Sequence, residues 1–261
     1  MEIRIKSKFL LPILLGAGFI FLTTLSILPN YTKLAIVFLF LPAIFLIFRK
    51  EEQINEKNYL IVVAFSILAT IFYDAVAQSV WLWRFPSDSV SFWILGIPIE
   101  EYIFGVCFST IILGIYTSLP TNKNKENPIF NKVPHIRESV LFGVIFSLQL
   151  ITWATLFSNP ESYFRWVIFL SLLPSIFYMW RKNERIDERR LLITILIMLV
   201  GVVFIDSIFI PAQTWYYNEF ALVGKIGIIP IDDFLFTLFN TIFIIGFYTS
   251  LPVRKKLTSR M

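Results

Sequence analysis

The stretch Ile97-Pro98-Ile99-Glu100-Glu101 opens a run that closes on Gly114-Ile115-Tyr116-Thr117-Ser118-Leu119-Pro120. It returns as Ile229-Pro230-Ile231-Asp232-Asp233, closing on Gly246-Phe247-Tyr248-Thr249-Ser250-Leu251-Pro252. Residue 229 repeats residue 97, an offset of 132 with no gap. Each copy sets two adjacent carboxylates at the mouth of an apolar helix, and acidic residues at membrane depth are costly enough to mark a functional site. The same offset carries Leu41-Pro42 to Leu173-Pro174, Arg49-Lys50 to Arg181-Lys182, Asp74 to Asp206 and Trp83 to Trp215. One register over that length argues for duplication and fusion of a unit of about 130 residues, longer than any solenoid repeat.

Composition sets the class. The chain is 57% hydrophobic and 16% charged, which predicts an all-α, polytopic membrane protein. Apolar runs fall at 9–28, 33–48, 59–80, 97–119, 139–157, 163–180, 191–210 and 228–251. Each is near the ~20 residues a helix needs to cross a ~30 Å hydrocarbon core. The expectation is about eight transmembrane helices arranged as two parallel four-helix repeats, 1–120 and 139–261, with seven spans as the alternative because the second and sixth runs are short. A polar, turn-rich linker over 121–138 joins them. The first run follows Arg4, Lys6 and Lys8 but ends Ser26-Ile27-Leu28-Pro29-Asn30, without a small-x-small cleavage site, and so reads as a retained span. Cys107 is the single cysteine, which rules out a disulfide within the chain.

The net charge of +5 follows from topology. Nineteen of the 23 Lys and Arg residues lie before the first run, in 49–58, 119–138 and 181–190, or after 251. The alternate connections hold only Lys33, Arg84, Arg165 and Lys225. The positive-inside rule then predicts an inner (cytoplasmic) membrane protein with both termini and the linker in the cytoplasm. Short basic clusters in loops, rather than one basic stripe, argue against a nucleic-acid partner. Corresponding loops fall on one side, so the halves are parallel and related by a pseudo-two-fold axis along the membrane normal. Glu100-Glu101 and Asp232-Asp233 then sit at one depth and can line one cavity.

Pro98 and Pro230 suit the first turn of a helix, and the carboxylates that follow suit its macrodipole. Capping alone needs one acid, whereas each copy has two, and Asp74 and Asp206 add one more to each preceding helix. Consecutive helical residues diverge by about 100°. One member of each pair can therefore face the cavity while its neighbour meets the preceding helix. A protonated carboxyl beside an ionised one in a dry aromatic pocket can serve as general acid and base. Aromatic residues crowd the connections that precede both motifs: Trp81, Trp83 and Trp93, then Trp215, Tyr216 and Tyr217. They suit an interfacial belt, substrate contact, or both.

Rival uses of these residues fail on spacing. A Glu-Glu-x-x-x-Arg protease element needs Arg at 105, which is Gly; an Asp-Asp-x-x-Asp diphosphate motif needs Asp at 236, which is Phe. The only histidine, His135, lies in the linker, so no metal site is expected. Gly16-Ala17-Gly18 lacks the third glycine and the strand of a dinucleotide fold, and no cofactor is expected.

The chain resembles the small membrane carotenoid cyclases of archaea, fungi and some bacteria, which occur as two short subunits or as one fused chain. Pro98-Ile99-Glu100-Glu101 matches their Pro-x-Glu-Glu element; Pro230-Ile231-Asp232-Asp233 is similar to its acidic counterpart, and Asp74 and Asp206 suit the pattern. The resemblance implies cofactor-free, non-redox cyclisation of the ψ-ends of lycopene to β-rings. It implies Glu100, Glu101, Asp232, Asp233, Asp74 and Asp206 as catalytic residues, with acid and base unassigned among them. Trp81, Trp83, Trp93, Trp215, Tyr216, Phe104 and Phe236 are then the expected substrate contacts. The partners implied are a lipophilic carotenoid and the bilayer, with other carotenoid-pathway enzymes beside them. The alternative from the residues alone is a proton- or cation-coupled transporter built from parallel repeats.

Overall fold

A computed structural model describes residues 28–36, 39, 55–120, 138–158, 162–181 and 186–252. The run expected at 9–28, most of that at 33–48, and nearly all of the linker lie outside the described residues. Helices occupy the other six expected runs. They are α1 (Glu56–Ser79), α2 (Ile99–Ser118), α3 (Glu138–Ser158), α4 (Tyr163–Val167) continuing through a π-helical turn (Ile168–Leu172) into α5 (Leu173–Arg181), α6 (Glu188–Phe209) and α7 (Ile231–Ser250). Residues 30–36 are also helical. Of these, α1, α2, α6 and α7 are long and apolar enough to cross a membrane; the apolar parts of α3 and of the α4–α5 segment are shorter.

Both halves build their helices with the same local devices. Asn55 accepts from the Asn58 amide and Asp187 from the Arg190 amide, each at 3.1 Å, which satisfies a donor that the first turn leaves open. At the far ends of α1 and α6, Trp81 (φ 52) and Gln213 (φ 55) take the left-handed conformation. Behind them Leu82 N–H reaches back to Ala77 at 2.7 Å and Thr214 N–H to Phe209 at 3.1 Å, the bond of a Schellman ending. Pro98 and Pro230 are N-caps of α2 and α7 (φ −57 and −58), one position earlier than expected. Both acid pairs lie in the first turns as anticipated.

Short strands, which helical periodicity does not announce, join the halves. The hairpin β2 (Trp93–Ile94) with β3 (Ile97–Pro98) leads into α2, and β5 (Lys225–Ile226) with β6 (Ile229–Pro230) leads into α7. Leu95 and Gly96 both have positive φ in the first hairpin, and Gly227 does in the second, as tight hairpin turns demand. Between the halves, β1 (Trp83–Arg84) pairs antiparallel with β4 (Tyr216–Tyr217), setting Arg84 opposite Tyr216. These two residues are repeats of each other, so the pseudo-two-fold axis passes between them.

The opposite ends of the helices are tied across the same axis. Tyr248 accepts from the Asn55 amide at 3.0 Å, and Tyr116, its counterpart, from the Asp187 amide at 2.9 Å. Ile112, Leu113, Ile244 and Ile245 are buried between the halves. Leu60, Leu68 and Phe72 on α1 and Leu196, Val200 and Phe204 on α6 are exposed, an apolar surface suited to lipid.

Candidate active site

Four of the six expected acids enclose one cavity of about 170 Å³ on the pseudo-two-fold axis: Asp74 and Glu101 from the first half, Asp206 and Asp233 from the second. All four are buried, with 2–8% of their surface exposed. Asp74 faces Glu101 and Asp206 faces Asp233 within each half. The same side chain therefore meets both the cavity and the preceding helix. These roles were expected to be divided between neighbours in each pair.

Glu100 and Asp232 turn the other way. Glu100 accepts from Ser91 N–H at 2.8 Å and from Thr32 Oγ1 at 2.6 Å. Asp232 accepts from Val223 N–H at 3.0 Å, and Val223 is the repeat of Ser91. Both carboxylates fasten the segment before the hairpin onto a helix N-terminus, where the dipole favours them. Neither lines the cavity.

Phenols complete each acid centre. Tyr31 O–H donates to Glu101 Oε1, and Tyr163, the repeat of Tyr31, donates to Asp233 Oδ1 at 2.8 Å. From there the symmetry breaks. Tyr217 O–H donates to Asp233 Oδ2 at 2.6 Å, whereas its counterpart in the first half is Phe85, which has no hydroxyl. Burial and the adjacent Asp233 push the Tyr217 phenol well above its ordinary value, so it stays a donor. On the other side Trp83 Nε1 donates to Asp74 Oδ1 at 3.2 Å. Both oxygens of Asp233 are thus engaged as acceptors by phenols, while Glu101 has a single phenol among the described residues.

The wall between the two centres is aromatic and is contributed across the axis. Tyr31 stacks on Phe85 (4.9 Å between ring centroids) and meets Trp215 edge-on (5.9 Å); Tyr163 stacks on Tyr217 (6.2 Å) and meets Trp83 edge-on (5.2 Å). Phe104 and Phe236, another pair related by the repeat, also line the cavity. Ring faces are negative, so such a chamber attracts a cation while excluding water.

The family model described as lycopene cyclase matches residues 30–119 and 160–251, more than half of the chain. The chain belongs to the lycopene cyclase family. The two matched segments end at 119 and 251, in the register of the internal repeat. No curated protein and no solved structure matches the chain significantly. Family membership and the apolar helices together make this a carotenoid cyclase of a membrane, with a carotenoid as substrate.

As a lycopene cyclase family member, the chain brings some of its expected substrate contacts to the cavity and leaves others outside. Trp83, Trp215, Phe104 and Phe236 line it. Trp81 (49% exposed) lies at the surface under the Arg84 guanidinium, 5.1 Å from its ring centroid, and Trp93 is likewise exposed. Tyr216 borders a separate polar depression with Asn30 and Asp88. These three suit an interfacial belt. Sequence reasoning overlooked Tyr31, Tyr73 and Tyr163, and named Tyr217 only within the aromatic connection before the second motif. The offset of 132 relates Tyr31 to Tyr163 and was the signal that would have found that pair; Tyr73 has Ile205 as its counterpart and gave none.

Proposed function

We propose that the protein closes the ψ-ends of lycopene into β-rings at a single composite site made by both repeats. The observation that carries the reading is the placement of two carboxyl pairs, one from each half, in one aromatic cavity. Glu101 with Asp74 forms the acid centre. A carboxyl of this pair gives its proton to C2 of the terminal C1=C2 bond, leaving a tertiary cation at C1. The C5=C6 bond attacks, the C1–C6 bond forms, and the charge moves to C5. Asp233, backed by Asp206, takes the C6 proton, and its electron pair restores the C5=C6 bond. Atoms and electrons balance without an oxidant or reductant, giving an isomerisation. The ring faces of Trp83, Trp215, Phe104 and Phe236 shelter the cation from water, which would otherwise trap it as an alcohol. Asp233 is assigned as the base because two phenols donate to it and favour its ionised form, which is the form that can take a proton. Glu100 and Asp232 shape the site by holding the hairpins.

The basic clusters support a reading in which both termini and the 121–138 linker between repeats 1–120 and 139–261 lie in the cytoplasm, with the protein in the inner membrane. The acid cavity then opens near the other face. Production in a lycopene-accumulating bacterial host tests the function: red lycopene is converted to monocyclic and then bicyclic β-ring carotenes, resolved by chromatography. Unchanged lycopene in the presence of correctly inserted protein would contradict it.

A further inference from the structure

Cavity volume limits what the acids can face. A cavity of about 150 Å³ holds one benzene-sized molecule, and the cavity between the repeats measures about 170 Å³. Lycopene is a long linear polyene, so a single end group fills this space. The rest of the chain must pass through the cavity wall.

The two repeats build that wall differently. On α6 it is formed by Met198, Gly201, Val202, Ile205 and Asp206; on α1 the described lining residues are Thr70, Tyr73 and Asp74. Thr70 is the repeat of Val202, so the cavity extends about one turn further along α6. Gly201 precedes Asp206 by five residues, about 7.5 Å along the helix axis, and lies near the middle of α6 (Glu188–Phe209). Residues 197, 201, 204 and 208 share one stripe of that helix. Ile197, Phe204 and Ile208 are 45%, 67% and 46% exposed, whereas Gly201 lines the cavity. A stripe that meets lipid on either side and the cavity in between marks a mouth. Glycine suits the position, because a Cβ there would find nothing within 4 Å among the described residues.

The counterpart stripe on α1 is Phe65, Ala69, Phe72 and Val76. The first three are exposed, and none of the four lines the cavity. Behind them stands Tyr73, whose ring stacks on Trp83 at 5.5 Å, meets Tyr163 of α4 edge-on at 6.4 Å and packs against Phe236 of α7 at 5.3 Å. The ring bridges α1 to α4 and α7 and closes the wall there; its repeat, Ile205, has no ring to do so. The Tyr73 hydroxyl is buried without a hydrogen-bond partner among the described residues, so it is the ring that this residue contributes.

We propose that the polyene chain passes between cavity and bilayer through one lateral mouth at Gly201, and that Tyr73 seals the pseudosymmetric route on α1. This rests on the cyclase reading above and adds the path of the substrate to it. One mouth admits one end at a time, so a monocyclic product must withdraw past Gly201 and return with its other end.

The test compares G201F, G201L and A69F with the wild type, each purified and reconstituted in liposomes with lycopene. Lycopene is achiral, so circular dichroism induced in its visible band reports protein-bound polyene without any turnover. G201F should lower that signal at least fivefold and initial ring formation at least tenfold, with G201L intermediate. A69F should keep both within about twofold of wild type. Thermal midpoints close to wild type show that bulk at 201 obstructs the route rather than the fold; should G201F fail to fold, G201L decides. Wild-type binding and rates in folded G201L and G201F, or equal losses in A69F, would overturn the mouth. Induced signal without ring formation in the wild type would overturn the cyclase reading alone, the variants' signals still deciding the route. No induced signal in the wild type would overturn the mouth itself.

Discussion

Glu100 and Glu101 are neighbours on α2, and the roughly 100° between them sends one to the hairpin and the other to the cavity. In the proposed mechanism the pair therefore separates a fastening role from a chemical one. In E100Q the amide oxygen still accepts from Ser91 N–H and Thr32, so ring formation should stay within about threefold of wild type. E100A leaves the Ser91 amide without its acceptor and should lower stability by about 1–3 kcal/mol. Thermal unfolding in detergent, together with ring formation at matched protein level, checks both. A hundredfold loss of activity in folded E100Q would return Glu100 to the chemistry. This distinction was not legible in the sequence. Periodicity says that adjacent acids diverge but not which one finds a cavity, because that depends on Ser91 and Tyr31, residues 9 and 70 positions away. The Tyr31–Tyr163 pair was within reach of the offset. Tyr73 was not, because what marks it is an unpaired hydroxyl in three dimensions.

At the scale of helices, close approach depends on two glycines. A Cβ on Gly246 would lie 2.6 Å from Tyr178 Cβ, and one on Gly105 would lie 2.9 Å from Thr70 Oγ1. These contacts set α7 against α5 and α2 against α1, the packing that small residues permit between membrane helices. G246A should destabilise by about 1–3 kcal/mol through overpacking. Gly143 on α3 has nothing among the described residues within 4 Å of such a Cβ, so G143A should instead stabilise by up to about 1 kcal/mol, the helix-propensity gain. A lower melting midpoint for G246A beside an equal or higher one for G143A is the expected result; equal midpoints would remove the packing argument. That helices occupy six of the expected runs was legible from apolar run length. The strand pairs were not, since two-residue strands carry no periodicity and β1–β4 pairing arises only when the halves meet.

For the molecule as a whole, the internal repeat was the most informative feature of the sequence, and the described residues give it a geometric meaning. Arg84 faces its own repeat Tyr216, Tyr116 and Tyr248 tie opposite helix starts, and Tyr31 and Tyr163 each meet a tryptophan from the other half. The axis runs through the cavity, which residues of both halves line. The departures from symmetry, Tyr217 against Phe85 and Tyr73 against Ile205, make its two sides chemically different, as the proposed division into an acid side and a base side requires. The most direct test compares E101Q and D233N, each purified, folded and supplied with lycopene. One composite site predicts that each single variant loses both monocyclic and bicyclic products, by at least a hundredfold. Ring formation persisting at about half the wild-type rate in either variant would mean two independent sites and would contradict the account.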